Sequence, residues 1–283
     1  TSSMRVTWFV AAVAAAAFWL PAPIARADDA LPAPDHVVVV MMENHAFGEI
    51  IDPQRAPFIA GLAAKGASFV NAFAVAHPSE PNYFALFSGS TQDIHSDGTF
   101  SFAHAPTLAS ALEAVKKSFI GYIEAGSPRK HNPWESFASA RGVERPLTDF
   151  PRDFASLPTV SFVIPDLDDD MHDGTVAAGD HWLRVHLGAY AKWAATHNSL
   201  LIVTFDEDDY SADNRIPTVI YGDRVRPGCY TERITHYSVL NTLVAMYGLT
   251  PFAQIAAVPP IREIWQPPIG VKADGSKTAD SKL

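Results

Sequence analysis

The chain has 283 residues, a formal net charge of −10 and a single cysteine, Cys229. This length suits one domain with a full hydrophobic core, and a lone cysteine excludes a framework of internal disulfides. The acidic balance argues against sequence-independent binding to nucleic acid, so no nucleic-acid partner is expected. The same charge would repel an anionic substrate, which would therefore need a local positive site such as a bound cation.

The N-terminal segment has the pattern of a signal peptide. Arg5 supplies a positive charge, residues 8–20 form a short apolar run, and Ala25-Arg26-Ala27 resembles a small-x-small cleavage site. The apolar run is short for a bilayer span, although a retained membrane anchor is the alternative interpretation. We therefore expect residues 1–27 to be a signal peptide with a short N-terminal extension. The mature protein is expected to be secreted or periplasmic and to lack a transmembrane segment.

Apolar, strand-like runs alternate with helical patterns along the rest of the chain. The strand candidates are residues 36–42, 68–73, 119–123, 160–164, 200–205 and 218–221. The helix candidates are residues 56–65, 106–117, 181–196 and 236–247, and another helix should follow Ser79. This alternation predicts an α/β fold with a mostly parallel central sheet and helices on both faces. The domain is expected to span residues 28–268, with a long polar loop at 126–151 and a disordered tail at 269–283.

Acidic and amide side chains follow two of the predicted strands directly. Glu43-Asn44-His45 follows the first strand, and Asp206-Glu207-Asp208-Asp209 follows the strand at 200–205. If the two strands are parallel neighbours, these oxygen ligands meet at one edge of the sheet and suit a divalent cation. Acids crowded together without a cation would repel one another and raise their own pKa values. The alternative is that Asp206 to Asp209 form an ordinary solvated acidic loop.

Ser79 lies in the segment His77-Pro78-Ser79-Glu80-Pro81-Asn82-Tyr83, which leads into an apolar helical run. A serine followed by proline in the first turn is typical of a helix N-cap. The same position also suits a nucleophile, because free N–H groups and the helix dipole favour a phosphate there. The residues alone leave both interpretations open.

Two histidines complete the set of reactive side chains. His131 lies in Lys130-His131-Asn132-Pro133, and His172 lies in Asp170-Met171-His172-Asp173-Gly174. Each could bind a phosphate oxygen or protonate a leaving alcohol, and each could equally be an ordinary surface histidine. The acids that precede His172 resemble the start of a calcium loop, but Met171 occupies the position that requires glycine, so we reject that motif.

These signatures together resemble the bacterial phosphoesterase family of acid phosphatases and phospholipases C, within the alkaline-phosphatase-like superfamily. The matching segments are Met42-Glu43-Asn44-His45-Ala46-Phe47, the His77 to Tyr83 segment, the Lys130 to Pro133 segment, the Asp170 to Gly174 segment and Asp206-Glu207. The resemblance covers nearly all of residues 34–265. Five signatures in the same order are very specific.

The resemblance implies a role for each matching residue. The metal ligands would be Glu43, Asn44, Ser79, Asp206 and Glu207. The catalytic residues would be Ser79 as nucleophile, with His172 and His131 at the phosphoryl group or leaving oxygen. The substrate-binding residues would be Asn82, Lys130, Asn132 and Asp173, and His236, which lies outside the matching segments, is a weaker candidate. The cofactor would be one divalent ion, with calcium, magnesium, manganese and zinc all left open.

The expected activity is that of an acid phosphatase that hydrolyses phosphate monoesters through a phosphoserine intermediate. A phosphoinositide lipid head group, such as phosphatidylinositol 3-phosphate, is one candidate substrate. Two alternatives stay open at this point. One is a phosphodiesterase of phospholipase C type, and the other is a non-catalytic module that binds phosphoinositides.

Overall fold

The computed structural model describes residues 31–267, which belong to one compact unit. The predicted signal peptide at 1–27 and the predicted disordered tail at 269–283 lie outside the described residues. Within residues 31–267, no helix is both long enough and apolar enough to span a bilayer.

The central feature is an eight-stranded sheet. The strands in chain order are β1 (His36–Met42), β2 (Ala67–Phe69), β3 (Ala72–Phe73), β4 (Phe119–Ile123), β5 (Glu144–Pro146), β6 (Val160–Ile164), β7 (Ser199–Phe205), β8 (Thr218–Gly222), β9 (Gly228–Tyr230) and β10 (Ile234–Thr235). The sheet order is β5-β4-β6-β1-β7-β8-β2-β9, while β3 and β10 form a separate parallel pair. Only β8 pairs antiparallel with its neighbours, so the prediction of a mostly parallel sheet is confirmed.

Helices cover both faces of this sheet. They are α1 (Phe47–Ile50), α2 (Pro57–Lys65), α3 (Glu80–Ser88), α4 (Leu108–Ala114), α5 (Val176–Ala194) and α6 (His236–Met246). Helices α2 and α5 pack on each other and on β8, whereas α3 packs on α4 and α6. Successive side chains of a strand point to opposite faces, and every residue of β1 from Val37 to Met42 is buried. Both faces of the central strand are therefore covered, as its unbroken apolar run predicts.

The register of the central strands aligns their carboxyl ends. Met42 of β1 is paired with Phe205 of β7 in a parallel ladder. The next residues, Glu43 and Asp206, therefore leave adjoining strands at the same level. Strand β6 is paired with β1 on its other side, so the chain that follows Ile164 reaches the same edge.

Several elements differ from the sequence-based predictions. The predicted strand at 68–73 is two strands, because a turn at Val70 and Asn71 sends the chain from the main sheet into the β3–β10 pair. Helix α5 begins at Val176, five residues earlier than predicted, where Thr175 caps it by accepting from the Ala178 N–H. The predicted polar loop at 126–151 contains strand β5 and four short 3₁₀ helices. Its Trp134 is buried, and this packing orders a segment that lacks sequence periodicity.

Asp180 is a buried carboxylate whose role is structural. From α5 it reaches the start of α2, where its two oxygens accept hydrogen bonds from the N–H groups of Phe58 at 3.0 Å and Ile59 at 2.8 Å. It therefore does for α2 what an N-cap side chain does within one helix.

We expect Asp180→Ala to lower the free energy of unfolding by about 1–3 kcal/mol, because two buried N–H groups lose their acceptors. Urea denaturation followed by circular dichroism measures this loss. Glu113, an exposed residue of α4, provides the control variant Glu113→Ala, which should change the free energy by less than about 0.5 kcal/mol. A loss for Asp180→Ala no larger than the control would contradict the assignment.

Candidate active site

The carboxyl ends of β1, β6 and β7 bring three acids together, as the sheet order requires. The Glu43 N–H donates to the Asp170 carbonyl at 2.9 Å, and the Asp206 N–H donates to the Met42 carbonyl at 2.9 Å. Asn44 has a left-handed φ of 57°, which asparagine tolerates better than most residues. This turn aims the Asn44 N–H at Asp206 Oδ1, 3.0 Å away. Backbone hydrogen bonds thus fix the positions at which these acids leave the sheet.

Ser79 precedes α3, but its side chain does not cap the helix. Its backbone is already helical, and its hydroxyl makes no capping hydrogen bond. Instead, Oγ lies 3.1 Å from Glu43 Oε2 and 3.1 Å from Glu207 Oε1. A hydroxyl has one proton and cannot donate to both carboxylates at once. Of the two interpretations that the sequence left open, the N-cap is wrong, and the role of Ser79 as a nucleophile stays a prediction.

His131 approaches the same group from a short 3₁₀ helix, Arg129–His131. Its ring stacks on Tyr83 with centroids 4.9 Å apart, and the Tyr83 hydroxyl donates a hydrogen bond to Glu43. His131 Nε2 lies 3.2 Å from Glu43 Oε1, and Nδ1 lies 3.3 Å from Asp170 Oδ2. Neither approach has hydrogen-bond geometry, although both nitrogens are buried. Glu43, His131 and Asp170 therefore offer ligand atoms that converge without bonding to one another.

Burial and mutual repulsion control the charges of the site. Burial, reinforced by Asp206 and Asp170, raises the pKa of Glu43 well above its usual range. Burial, reinforced by Glu207, raises the pKa of Asp206 to about 6. Burial is also the main cause that raises the pKa values of Glu207 and Asp170 to about 7. Without a cation, these acids therefore resist becoming fully ionised at neutral pH.

The donor set fits a divalent cation. Among the buried side-chain atoms of this site that have no hydrogen-bond partner within residues 31–267 are His131 Nδ1, His131 Nε2, Asp170 Oδ2 and Asp206 Oδ2. Buried polar atoms are rarely left without a partner, and a cation would satisfy the carboxylate oxygens and one of the two ring nitrogens. Burial lowers the pKa of His131 to about 3, so its ring is neutral and can donate a lone pair. Carboxylate oxygens with one imidazole suit hard and borderline divalent ions.

Two predicted substrate-binding residues are buried and already bonded to the protein. The Asn82 side chain accepts from the N–H groups of Val75 and Ala76 and donates to the carbonyls of Ala76 and Pro78. His236 Nε2 lies 2.9 Å from the Asp206 carbonyl, and its ring is 1% exposed. In this structure, Asn82 holds the loop that carries Ser79, and His236 supports the backbone of Asp206. Direct contact of either residue with substrate stays a prediction.

The remaining predicted residues lie around the acids. His172 is partly exposed, and its ring Nδ1 lies 2.7 Å from Asp173 Oδ1. The backbone N–H of His172 donates to Asp170 Oδ1 at 2.8 Å. Lys130 Nζ forms an ion pair with Asp97 at 2.8 Å. Asn132 is buried next to His131. Their roles toward a substrate stay predictions.

Three residues of the site were given no role on sequence grounds. Asp170 and Tyr83 flank His131, and His77 Nδ1 pairs with Glu207 while its Nε2 lies 3.3 Å from Asp208 Oδ1. All three lie inside the family signatures that contain Ser79 and His172. The signal that could have found Asp170 is its place after β6, next to the first strand.

Comparison with known proteins finds relatives in sequence and in fold. Residues 51–250 match the phosphoesterase family. A Mycobacterium tuberculosis protein named phosphatidylinositol-3-phosphatase is 46% identical over 274 residues, which cover 90% of this chain and 92% of that protein. A phosphate-repressible acid phosphatase of Penicillium chrysogenum is 29% identical over 76% of this chain, and the match covers 59% of that longer protein.

Solved structures show the same fold. An alkaline phosphatase superfamily protein from Vibrio parahaemolyticus has a TM-score of 0.59 at 14% identity, over 81% of this chain and 72% of that one. The predicted alkaline-phosphatase-like fold is thereby confirmed. The family match covers well over half of the chain, and the mycobacterial relative is similar along nearly its whole length. The chain therefore belongs to the phosphoesterase family.

Proposed function

We propose that this protein is a secreted acid phosphatase that uses Ser79 as a metal-assisted nucleophile on phosphate monoesters. The predicted enzyme class, a phosphoric monoester hydrolase, is confirmed by the family and by relatives named as phosphatases. The observation that supports Ser79 as the nucleophile is the position of its hydroxyl, which lies between Glu43 and Glu207 instead of capping α3. The leader pattern at residues 1–27 supports secretion.

The residues proposed to hold the ion are Glu43, Asn44, Ser79, Asp206 and Glu207, with His131 and Asp170 beside them as further candidate ligands. The bound ion would add positive charge at the phosphoryl oxygens and lower the pKa of the Ser79 hydroxyl. The protein's own part is to fix Ser79 at the start of α3, where the helix N-terminus favours an anionic phosphoryl group. Tyr83 donates a hydrogen bond to Glu43 and keeps that carboxylate in place, while His131 stacks on the Tyr83 ring.

The proposed reaction has two displacements. Ser79 Oγ bonds to phosphorus as the bond to the substrate oxygen breaks, and its proton passes to a neighbouring carboxylate. His172, partly exposed at the rim and next to Asp173, protonates the departing alkoxide. A water molecule then attacks the phosphoserine, its proton is taken by the same histidine, and Ser79 regains a proton as phosphate leaves.

A phosphate-release panel on metal-free protein tests this function. Calcium, magnesium, manganese and zinc would each be returned separately, and p-nitrophenyl phosphate, a soluble phosphatidylinositol 3-phosphate and phosphatidylcholine would be offered. We expect at least one ion to restore release from the two monoesters and none to cleave phosphatidylcholine. The name of the mycobacterial relative supports including the phosphoinositide.

Two outcomes would contradict the proposal. Cleavage of phosphatidylcholine with the monoesters untouched would assign a phospholipase C-type phosphodiesterase. Tight binding of the phosphoinositide without release of phosphate under any ion would assign a non-catalytic binding module.

A further inference from the structure

Tyr210 is an exposed aromatic residue beside the active site. Its side chain is 74% exposed, more than either of the other exposed large hydrophobic residues in the described part of the chain, Val185 and Val115. It lies in the loop that directly follows Asp206 and Glu207 after β7. A large ring that is exposed beside an active site offers an apolar surface on which a bound ligand can pack.

The loop holds Tyr210 in a fixed and strained position. Tyr210 has a left-handed φ of 67°, which is an outlier for a bulky residue. Buried Asp208 maintains this backbone conformation. Its Oδ1 accepts a hydrogen bond from the Tyr210 N–H at 2.9 Å, and its Oδ2 accepts from the backbone N–H groups of Ala212 at 2.8 Å and Asn214 at 3.0 Å. The Asn214 amide in turn donates to the carbonyl of Ala76 at 2.8 Å. Strain of this kind persists where the surrounding structure over-determines it, and it is concentrated at functional sites.

Three successive contacts link Tyr210 to the nucleophile. The Tyr210 ring stacks on His77, with centroids 4.0 Å apart and planes inclined by 18°. His77 pairs with Glu207, and Glu207 Oε1 lies 3.1 Å from Ser79 Oγ. Slight desolvation and the nearby carboxylates, Glu207 first, raise the pKa of the Tyr210 hydroxyl, so the ring stays neutral. One face of the ring is on His77, and most of the remaining surface is open.

We propose that Tyr210 is the leaving-group platform of the active site, on which a flat or cyclic organic group of the phosphate monoester packs. The inference rests on the proposed function, because it requires the phosphoryl group to be bound at Ser79. It also narrows the substrate class. Monoesters of aromatic or ring alcohols would gain stacking on Tyr210, whereas small acyclic monoesters would not.

Binding of non-hydrolysable phosphonates tests the platform without turnover. Phenylphosphonate and methylphosphonate would be titrated calorimetrically into wild type, Tyr210→Ala and Tyr210→Phe in one buffer of fixed divalent-ion content. We expect Tyr210→Ala to weaken phenylphosphonate binding about tenfold and methylphosphonate binding less than about twofold, as loss of one aromatic stacking contact would do. Tyr210→Phe keeps the ring and should behave like wild type. The hydrogen bond to Asp208 uses only the Tyr210 backbone, so the loop is retained in both variants.

Steady-state kinetics provide the second measurement. For Tyr210→Ala, KM for p-nitrophenyl phosphate should rise about tenfold while kcat changes less than about twofold, and inhibition by inorganic phosphate should be unchanged. Val185→Ala, which removes an exposed apolar residue from α5, is the matched control. The proposal would be overturned if Tyr210→Ala weakened the binding of both phosphonates equally, or of neither. It would also be overturned if Tyr210→Ala lowered activity only toward phosphoinositide in vesicles. If the wild-type protein bound phenylphosphonate more tightly than methylphosphonate but released no phosphate, the proposed function would be refuted. The binding role of Tyr210 would still stand.

Discussion

Replacing Ser79 with alanine is expected to lower kcat for p-nitrophenyl phosphate by at least about 10³-fold, with the protein still folded. The reason is that no other hydroxyl of the described residues is placed between Glu43 and Glu207, where Ser79 Oγ lies 3.1 Å from each. Acid quenching during turnover, followed by peptide mass spectrometry, should find one phosphoryl group on the Ser79 peptide of wild type. The Ser79→Ala protein should carry none.

Ser88 provides a matched control on the same helix. Its hydroxyl is also buried, but it donates to the Phe84 carbonyl at the other end of α3. Ser88→Ala removes the same atom and should leave kcat within about twofold, at a cost of about 1 kcal/mol in stability. If folded Ser79→Ala kept wild-type turnover, the serine mechanism would be wrong.

Adding a divalent ion to metal-free protein should raise Tm by about 5–10 °C at about pH 7.5, at an ion concentration about 100 times Kd. A ligand that binds only the folded state stabilises it by mass action. The buried acids strengthen the effect, because without an ion they repel one another and leave polar atoms unsatisfied. Differential scanning calorimetry before and after chelation measures the shift.

The pH dependence of this shift has a definite sign. In the metal-free protein, Asp206, Glu207 and Asp170 have pKa values raised to about 6, 7 and 7. Unfolded carboxyl groups titrate near about 4, so between about pH 4 and 7 the folded state binds more protons than the unfolded state. Stability of the metal-free protein should therefore fall as pH rises through that window. The ion competes with those protons, so its stabilising shift should be larger at about pH 7.5 than at about pH 5.

Two variants that each replace an acid with its neutral amide test where the stabilising ion binds. Glu43→Gln replaces a carboxyl group, which can become a charged ligand, with a neutral amide and should abolish most of the ion-induced shift. Because the pKa of Glu43 is raised well above its usual range, the metal-free protein should lose little stability. Asp169→Asn changes a different acid group, formed by Glu124, Asp166 and Asp169, which is partly exposed. It should keep the shift. If the ion-induced rise in Tm were lost in Asp169→Asn but kept in Glu43→Gln, the ion would be assigned to the second acid group.

The sequence determined the elements whose local signals are strong. The continuous apolar run of β1 and the apolar run of β7 predict buried parallel strands, and each is followed directly by acids. Because side chains at the ends of parallel strands share one edge, the meeting of Glu43 with Asp206 could be predicted before the structure. The order of the family signatures determined the enzyme class.

Only the tertiary structure decided the roles of individual side chains. A serine before a helix looks the same in sequence whether it caps the helix or faces Glu43 and Glu207, because the difference lies in contacts 36 and 128 residues away. Asp170 joins the site through the placement of β6 beside β1, and Tyr210 reaches His77 through a clamped loop. Local patterns encode elements and their faces, whereas long-range pairing determines which polar atoms meet and which are left for a ligand.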